Sequence, residues 1–166
     1  QQRCVDECGF QTSSDDGVVL ARGTDGSQYI YIAEESSEPA FVSVGFAAES
    51  EAALKEVAAI DSVPIESNTL PGGGIIARLT DPNGFAVEVV ANIADRPPLT
   101  EAVRSDFNDG VEKHRLGERV AFAAPECLIK RLGHVVLMVN DFSETFEWYQ
   151  RRLGLLISDE IVMDKD

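Results

Sequence analysis

Residues 79–90 constrain this chain more than any other stretch. Asp81-Pro82-Asn83-Gly84 puts in a row an aspartate that accepts local N–H bonds, a proline that fixes φ, and a glycine free to take positive φ. That is the chemistry of a tight reversal. Apolar, β-rich segments lie on either side, residues 75–79 and 85–90, and they read as the strands entering and leaving it.

The same punctuation organises what precedes. Residues 18–22 and 28–33 are β-rich and separated by Gly23-Thr24-Asp25-Gly26-Ser27, which predicts an antiparallel hairpin. Residues 41–47 form a further expected strand, with Val42, Val44 and Phe46 on the apolar face. Ser50 is placed to cap a helix reaching residue 60, with Glu51 in its first turn and Leu54, Val57 and Ala58 at helical spacing. Residues 65–69 read as a strand, and Pro71-Gly72-Gly73-Gly74 as a loop. No Lys-Ser/Thr follows those glycines, so they do not form a phosphate loop. Residues 1–9 read as the last turns of a helix closing at Gly9.

From residue 93 to 128 periodicity weakens, and Pro97-Pro98, Asn108-Asp109-Gly110 and Ala123-Ala124-Pro125 interrupt it, as expected of a linker. Beyond it, residues 134–139 are strongly β-type. Asp141 can cap a helix with Glu144 three residues on, and Phe142, Phe146, Tyr149 and Leu153 recur at spacings of four, three and four. Gly154 would end that helix, with strands expected to begin at residues 155–157 and 161–163. The pattern is a repeated βαβββ unit sampled out of phase. The expected division is residues 1–92 as a first domain lacking its opening strand and helix, 93–128 as linker, and 129–166 as the opening βαβ of a second domain. The chain thus reads as incomplete at both ends.

Composition removes several classes of function. With 29 acidic against 14 Lys and Arg residues the 166-residue chain carries a formal charge of −15, which opposes nucleic acid and anionic membrane surfaces. No apolar run reaches the roughly 18 residues of a membrane span, so a soluble protein of the cytoplasm is expected. Cys4, Cys8 and Cys127 form neither a disulfide framework nor a Cys-x-x-Cys pair, and are expected as reduced thiols.

Two stretches resemble the vicinal-oxygen-chelate superfamily of glyoxalases, bleomycin resistance proteins and extradiol dioxygenases. Residues 79–90, LTDPNGFAVEVV, are similar to its D-P-x-G-x-x-x-E signature, in which the Glu is a metal ligand. Residues 131–142, RLGHVVLMVNDF, continuing through Trp148-Tyr149 to Leu153-Gly154-Leu155, are similar to its opening strand and helix, in which the His is the first ligand. The order of the two most resembles a two-domain extradiol dioxygenase. The resemblance implies an α+β fold whose βαβββ modules form a curved mixed sheet, an open cup, here incomplete. It also implies Fe(II) or another divalent metal held by two imidazoles and one carboxylate, a small aromatic, catechol-like substrate, and dioxygen.

On that basis His134 is the candidate metal ligand of the longer protein, and Glu88 the lesser one. Ser43 stands where a second His would fall in the visible module, so Glu88 is expected to be a relic of the duplicated fold, satisfied by its neighbours. His114, among Glu112, Lys113 and Arg115, is expected as a solvated side chain. The chain itself is expected to bind metal weakly or not at all and to be inactive. Two other readings stand beside the dioxygenase: a small-molecule-binding module without metal, and a glyoxalase-type lyase. The strand and helix after residue 130 could fill the place that the first unit lacks, within one chain or in a module-swapped homodimer.

Overall fold

A computed structural model describes residues 10–99, 129–159 and 161. They fall into two compact units, residues 1–37 with 95–133 and residues 38–94 with 134–166. The helix end expected at residues 1–9, Cys4, Cys8, Cys127, His114 and most of the expected linker lie outside the described residues.

The first unit is a three-stranded antiparallel sheet ordered β1-β2-β3, with β1 at Gln11–Asp15, β2 at Val18–Arg22 and β3 at Tyr31–Glu34. The β2–β3 hairpin is the expected one, but β3 starts later than residue 28. Strand β1 has no counterpart in the sequence reading, because its polar residues QTSSD show no apolar alternation, and pairing with β2 is what makes it a strand. The β2–β3 loop is tied down by chain that returns from far along the sequence. Thr24 N–H donates to the Ile129 carbonyl (3.0 Å), Leu99 N–H to the Thr24 carbonyl (2.9 Å), and Arg96 N–H to the Gly26 carbonyl (2.8 Å). Gly23 permits this approach, since a Cβ there would lie 2.1 Å from the Lys130 carbonyl oxygen.

The second unit holds a complete βαβββ module. Strand β4 (Ser43–Ala47) leads into helix α1 (Glu51–Asp61), followed by β5 (Ile65–Ser67), β6 (Ile75–Thr80) and β7 (Ala86–Ala91). The sheet order is β4-β7-β6-β5, with β4 parallel to β7 and the other pairs antiparallel. Alternation puts Val87, Val89, Ala77, Leu79 and Val44 on one face, where they pack with Leu54, Val57 and Ala58 of α1. The Ser50 hydroxyl accepts from Ala53 N–H at the helix start. Ser62, at φ 54°, closes its end in a Schellman arrangement, with Val63 N–H on the Ala58 carbonyl and Ser62 N–H on that of Ala59. Strand β5 stops at Ser67 because the Asn68 side chain takes over, accepting from Leu70 N–H and donating to the Gly73 carbonyl.

Helix α2 (Phe142–Leu153) packs on this same core. Asp141 caps it by accepting from Glu144 N–H, and Gly154 ends it at φ 65°, both as the sequence indicates. Its inward face is rotated from the expected aromatic stripe. Thr145, Trp148 and Tyr149 are buried, while Phe142 is two-thirds exposed and stacks on Phe146. Polar partners in the turn between β6 and β7, Asp81 and Asn83, bond Tyr149 and Thr145 on that face.

The strand expected at residues 134–139 is a correction. These residues form no strand, and neither do residues 155–157. A β-rich run becomes a strand only when a neighbour supplies the ladder hydrogen bonds, and no described strand pairs with either segment. Leu137 packs on the core, whereas Val136 and Met138 are 80% and 90% exposed.

Candidate functional site

The Asp81-Pro82-Asn83-Gly84 turn is built almost entirely from its own atoms. Asp81 Oδ1 accepts from Asn83 N–H (2.8 Å) and Phe85 N–H (2.9 Å), and Gly84 N–H donates to the Asp81 carbonyl. Gly84 takes φ 86° there. The aspartate is 4% exposed, and these bonds are what make its burial tolerable.

The turn fixes the β6–β7 register and with it the setting of Glu88. Thr80 faces Ala86, Leu79 faces Val87 and Arg78 faces Glu88. Because Val87 and Val89 point into the core, Glu88 points to the opposite face of the sheet. There its Oε1 accepts from Arg78 Nε at 3.1 Å, and Arg78 extends on to Glu66 of β5, its terminal nitrogen 2.5 Å from Oε2. On the other side of Glu88 stands Gly45 of β4, while Ser43 is opposite Ala86. One guanidinium thus joins carboxylates of β5 and β7 across β6.

Arg78 escapes a motif-based reading, because the signature names only the Glu. Counting outward from the turn would have found it, since a tight reversal pairs residues symmetrically about its centre.

His134 is exposed, on the segment that forms no strand. No group of three or more His, Cys, Asp or Glu side chains among the described residues could hold a metal. The donor set of the described residues does not fit the metal that the resemblance implies, which calls for two imidazoles and a carboxylate with free lone pairs. Here one imidazole is exposed to solvent and the carboxylate is engaged by a guanidinium.

The turn does have a second partner. Asn83 Nδ2 donates to Thr145 Oγ1 (2.9 Å), and its Oδ1 accepts from Asn140 N–H (2.9 Å). The Tyr149 hydroxyl donates to Asp81 Oδ2 at 3.3 Å. Burial, reinforced by the Asp81 charge and this bond, pushes the Tyr149 phenol up to about 12. The side chains of the signature turn therefore hold the start and middle of α2. The far end of the helix is held by Arg152, which donates to both carboxylate oxygens of Asp61.

No family model matches the sequence, and no curated protein matches it. Solved structures do. The Mn(II)-bound glyoxalase from Novosphingobium aromaticivorans superposes with a TM-score of 0.66 at 17% identity, over 90% of this chain and 46% of that one. A catechol 2,3-dioxygenase superposes with a TM-score of 0.56 at 17% identity, over 90% of this chain and 50% of that one. The chain spans about half the length of each. A βαβββ module with its first strand parallel to its last, matched over nine-tenths of the chain by a glyoxalase and a catechol 2,3-dioxygenase, establishes that this chain has a glyoxalase-like α+β fold.

Proposed function

We propose that this chain is part of a cytoplasmic, metal-dependent extradiol-type dioxygenase that opens a catechol-like ring with dioxygen. Residues 1–92 would supply modules that carry no metal, 93–128 a linker, and 129–166 the opening of the metal-binding domain. The observation that carries this reading is the order of elements in the sequence. A module with its D-P-x-G-x-x-x-E turn is followed by L-G-H-V and a helix capped by Asp141 and ended by Gly154. In this reading His134 is one ligand of a divalent metal such as Fe(II), and the other ligands come from residues outside these 166. Glu88 is not a ligand.

Two observations favour other readings. The glyoxalase superposes with the higher TM-score, 0.66 against 0.56, which favours a lyase of that type. The engagement of Glu88 by Arg78 favours a module that binds a small molecule without metal.

Oxygen consumption separates the three. A protein carrying this chain within a length comparable to the dioxygenase, loaded with Fe(II) under nitrogen, should take up oxygen with catechols. His134→Ala should abolish the uptake and leave the circular dichroism spectrum unchanged. Retained turnover in that variant would sink the ligand assignment. A lyase would consume no oxygen with any catechol, and a binding module would hold the aromatic ligand equally well with His134 or Ala.

A further inference from the structure

We propose that the Arg78 guanidinium stands where a cation would stand on this module, and that by pairing with Glu88 and Glu66 it shuts divalent metal out of the Glu88 position. The inference concerns the β5–β6–β7 face alone and does not depend on which reaction the longer protein performs.

The placement follows from register. Arg78 and Glu88 are direct partners across β6 and β7, and Glu66 faces Ile76, which makes it the diagonal neighbour of Arg78. A long side chain on the middle strand reaches both positions. Its two bonds use different nitrogens, Nε toward Glu88 and a terminal nitrogen toward Glu66, so the fork of the guanidinium is what links the two carboxylates. Nothing on β4 competes. Opposite Glu88 is Gly45, where an added Cβ would meet no atom within 4 Å.

The consequence is for ligand competition rather than for stability. The side chains of Arg78 and Glu66 are 54% and 56% exposed, and pairs in such surroundings add little to folding. Glu88 is the less exposed, at 24%, and it presents one oxygen already bonded to a permanent positive charge. A divalent ion approaching that carboxylate must displace the guanidinium or sit beside it. One remaining carboxylate oxygen, with neither an imidazole nor a free second carboxylate at hand among the described residues, cannot meet that cost. The D-P-x-G-x-x-x-E turn is therefore kept here for its geometry, while its glutamate has been given a resident cation of its own.

Titration of the 166-residue chain with Mn(II), following the electron paramagnetic resonance signal of the free ion, tests this. The unmodified chain should show no binding that Glu88→Gln removes. Arg78→Leu leaves Glu88 and Glu66 as uncompensated neighbours and should gain Mn(II) binding on the order of tenfold tighter than the background binding of the unmodified chain, because a unit positive charge has been taken from beside a divalent ion. The gain should vanish in Arg78→Leu/Glu88→Gln. Arg78→Gln serves the same purpose should the leucine variant not fold, with circular dichroism as the check. The proposal is overturned by Glu88-dependent Mn(II) binding in the unmodified chain, by the lack of any gain on removing Arg78, or by a gain that survives Glu88→Gln. Any of these outcomes leaves the His134 reading untouched.

Discussion

Asp61 and Arg152 show how a single residue pair can tie two helices. Arg152 Nε and a terminal nitrogen donate to the two Asp61 oxygens at 2.6 and 2.5 Å, and the guanidinium carbon lies 4.6 Å from the Trp148 ring centroid. With side-chain exposures of 17% and 24%, the pair is screened less than the Arg78 bridge. The hydrogen bond from Arg152 is the main reason that the Asp61 carboxyl is held below the usual carboxylate range. Arg152→Met keeps an apolar stem on Trp148 but removes the charge, and should cost about 1–2 kcal/mol at pH 7. The sign of the pH dependence follows from the lowered value. The contribution is complete above the unfolded-state pKa, near 4, and is lost as pH falls through the lower folded-state value. Urea unfolding of the two proteins at pH 7 and at about pH 3 should therefore show the gap closing in acid. A gap of equal size at both would assign the loss to packing on Trp148.

Local signals in the sequence identify the elements well wherever the element is made from its own residues. Ser50 and Asp141 each cap the helix expected of them, and the D-P-N-G turn closes on its own aspartate. What depends on a distant partner is not legible. Strand β1 lacks any apolar alternation yet is a strand through pairing with β2, whereas residues 134–139 are a β-rich run with which no described strand pairs. The candidate site divides in the same way. The position of Glu88 follows from the motif, but its engagement by Arg78 needs the register, and the grip of Asn83 on α2 spans 62 residues of sequence. That grip has a measurable consequence. Asn83→Ala leaves the Asn140 N–H without its acceptor and Thr145 without its donor, and should lower the local opening free energy of α2 by about 1–2 kcal/mol. Amide hydrogen exchange over residues 142–153 should then quicken by roughly tenfold, with β6 and β7 unchanged. Equal acceleration in the sheet would mean that Asn83 supports the turn itself and not the docking of the helix.

For the chain as a whole, charge and exposed apolar surface act against each other. At pH 7 the formal charge of −15 keeps copies apart. Among the described residues no helix is long and apolar enough to cross a membrane, yet Val136, Met138, Leu156 and Ile161 are between 80% and 90% exposed. They sit in segments of high β character that form no ladder, the kind of sequence that pairs with another chain when nothing prevents it. The repulsion disappears at the sequence pI of about 4.4. Because the Asp61 carboxyl is held below its ordinary value of 3.8, the Asp61–Arg152 pair is still ionised there, and association should set in before that pair is lost. Light scattering across pH 3.5–7 should accordingly peak near the pI while circular dichroism still reports the folded chain. Val136→Ser/Met138→Ser changes no charge and leaves Leu137 on the core, so it tests the surface alone. The double variant should scatter markedly less at the same pH. If its scattering matches that of the unmodified chain, the contact lies elsewhere, and residues 134–139 are kept from pairing by their own conformation.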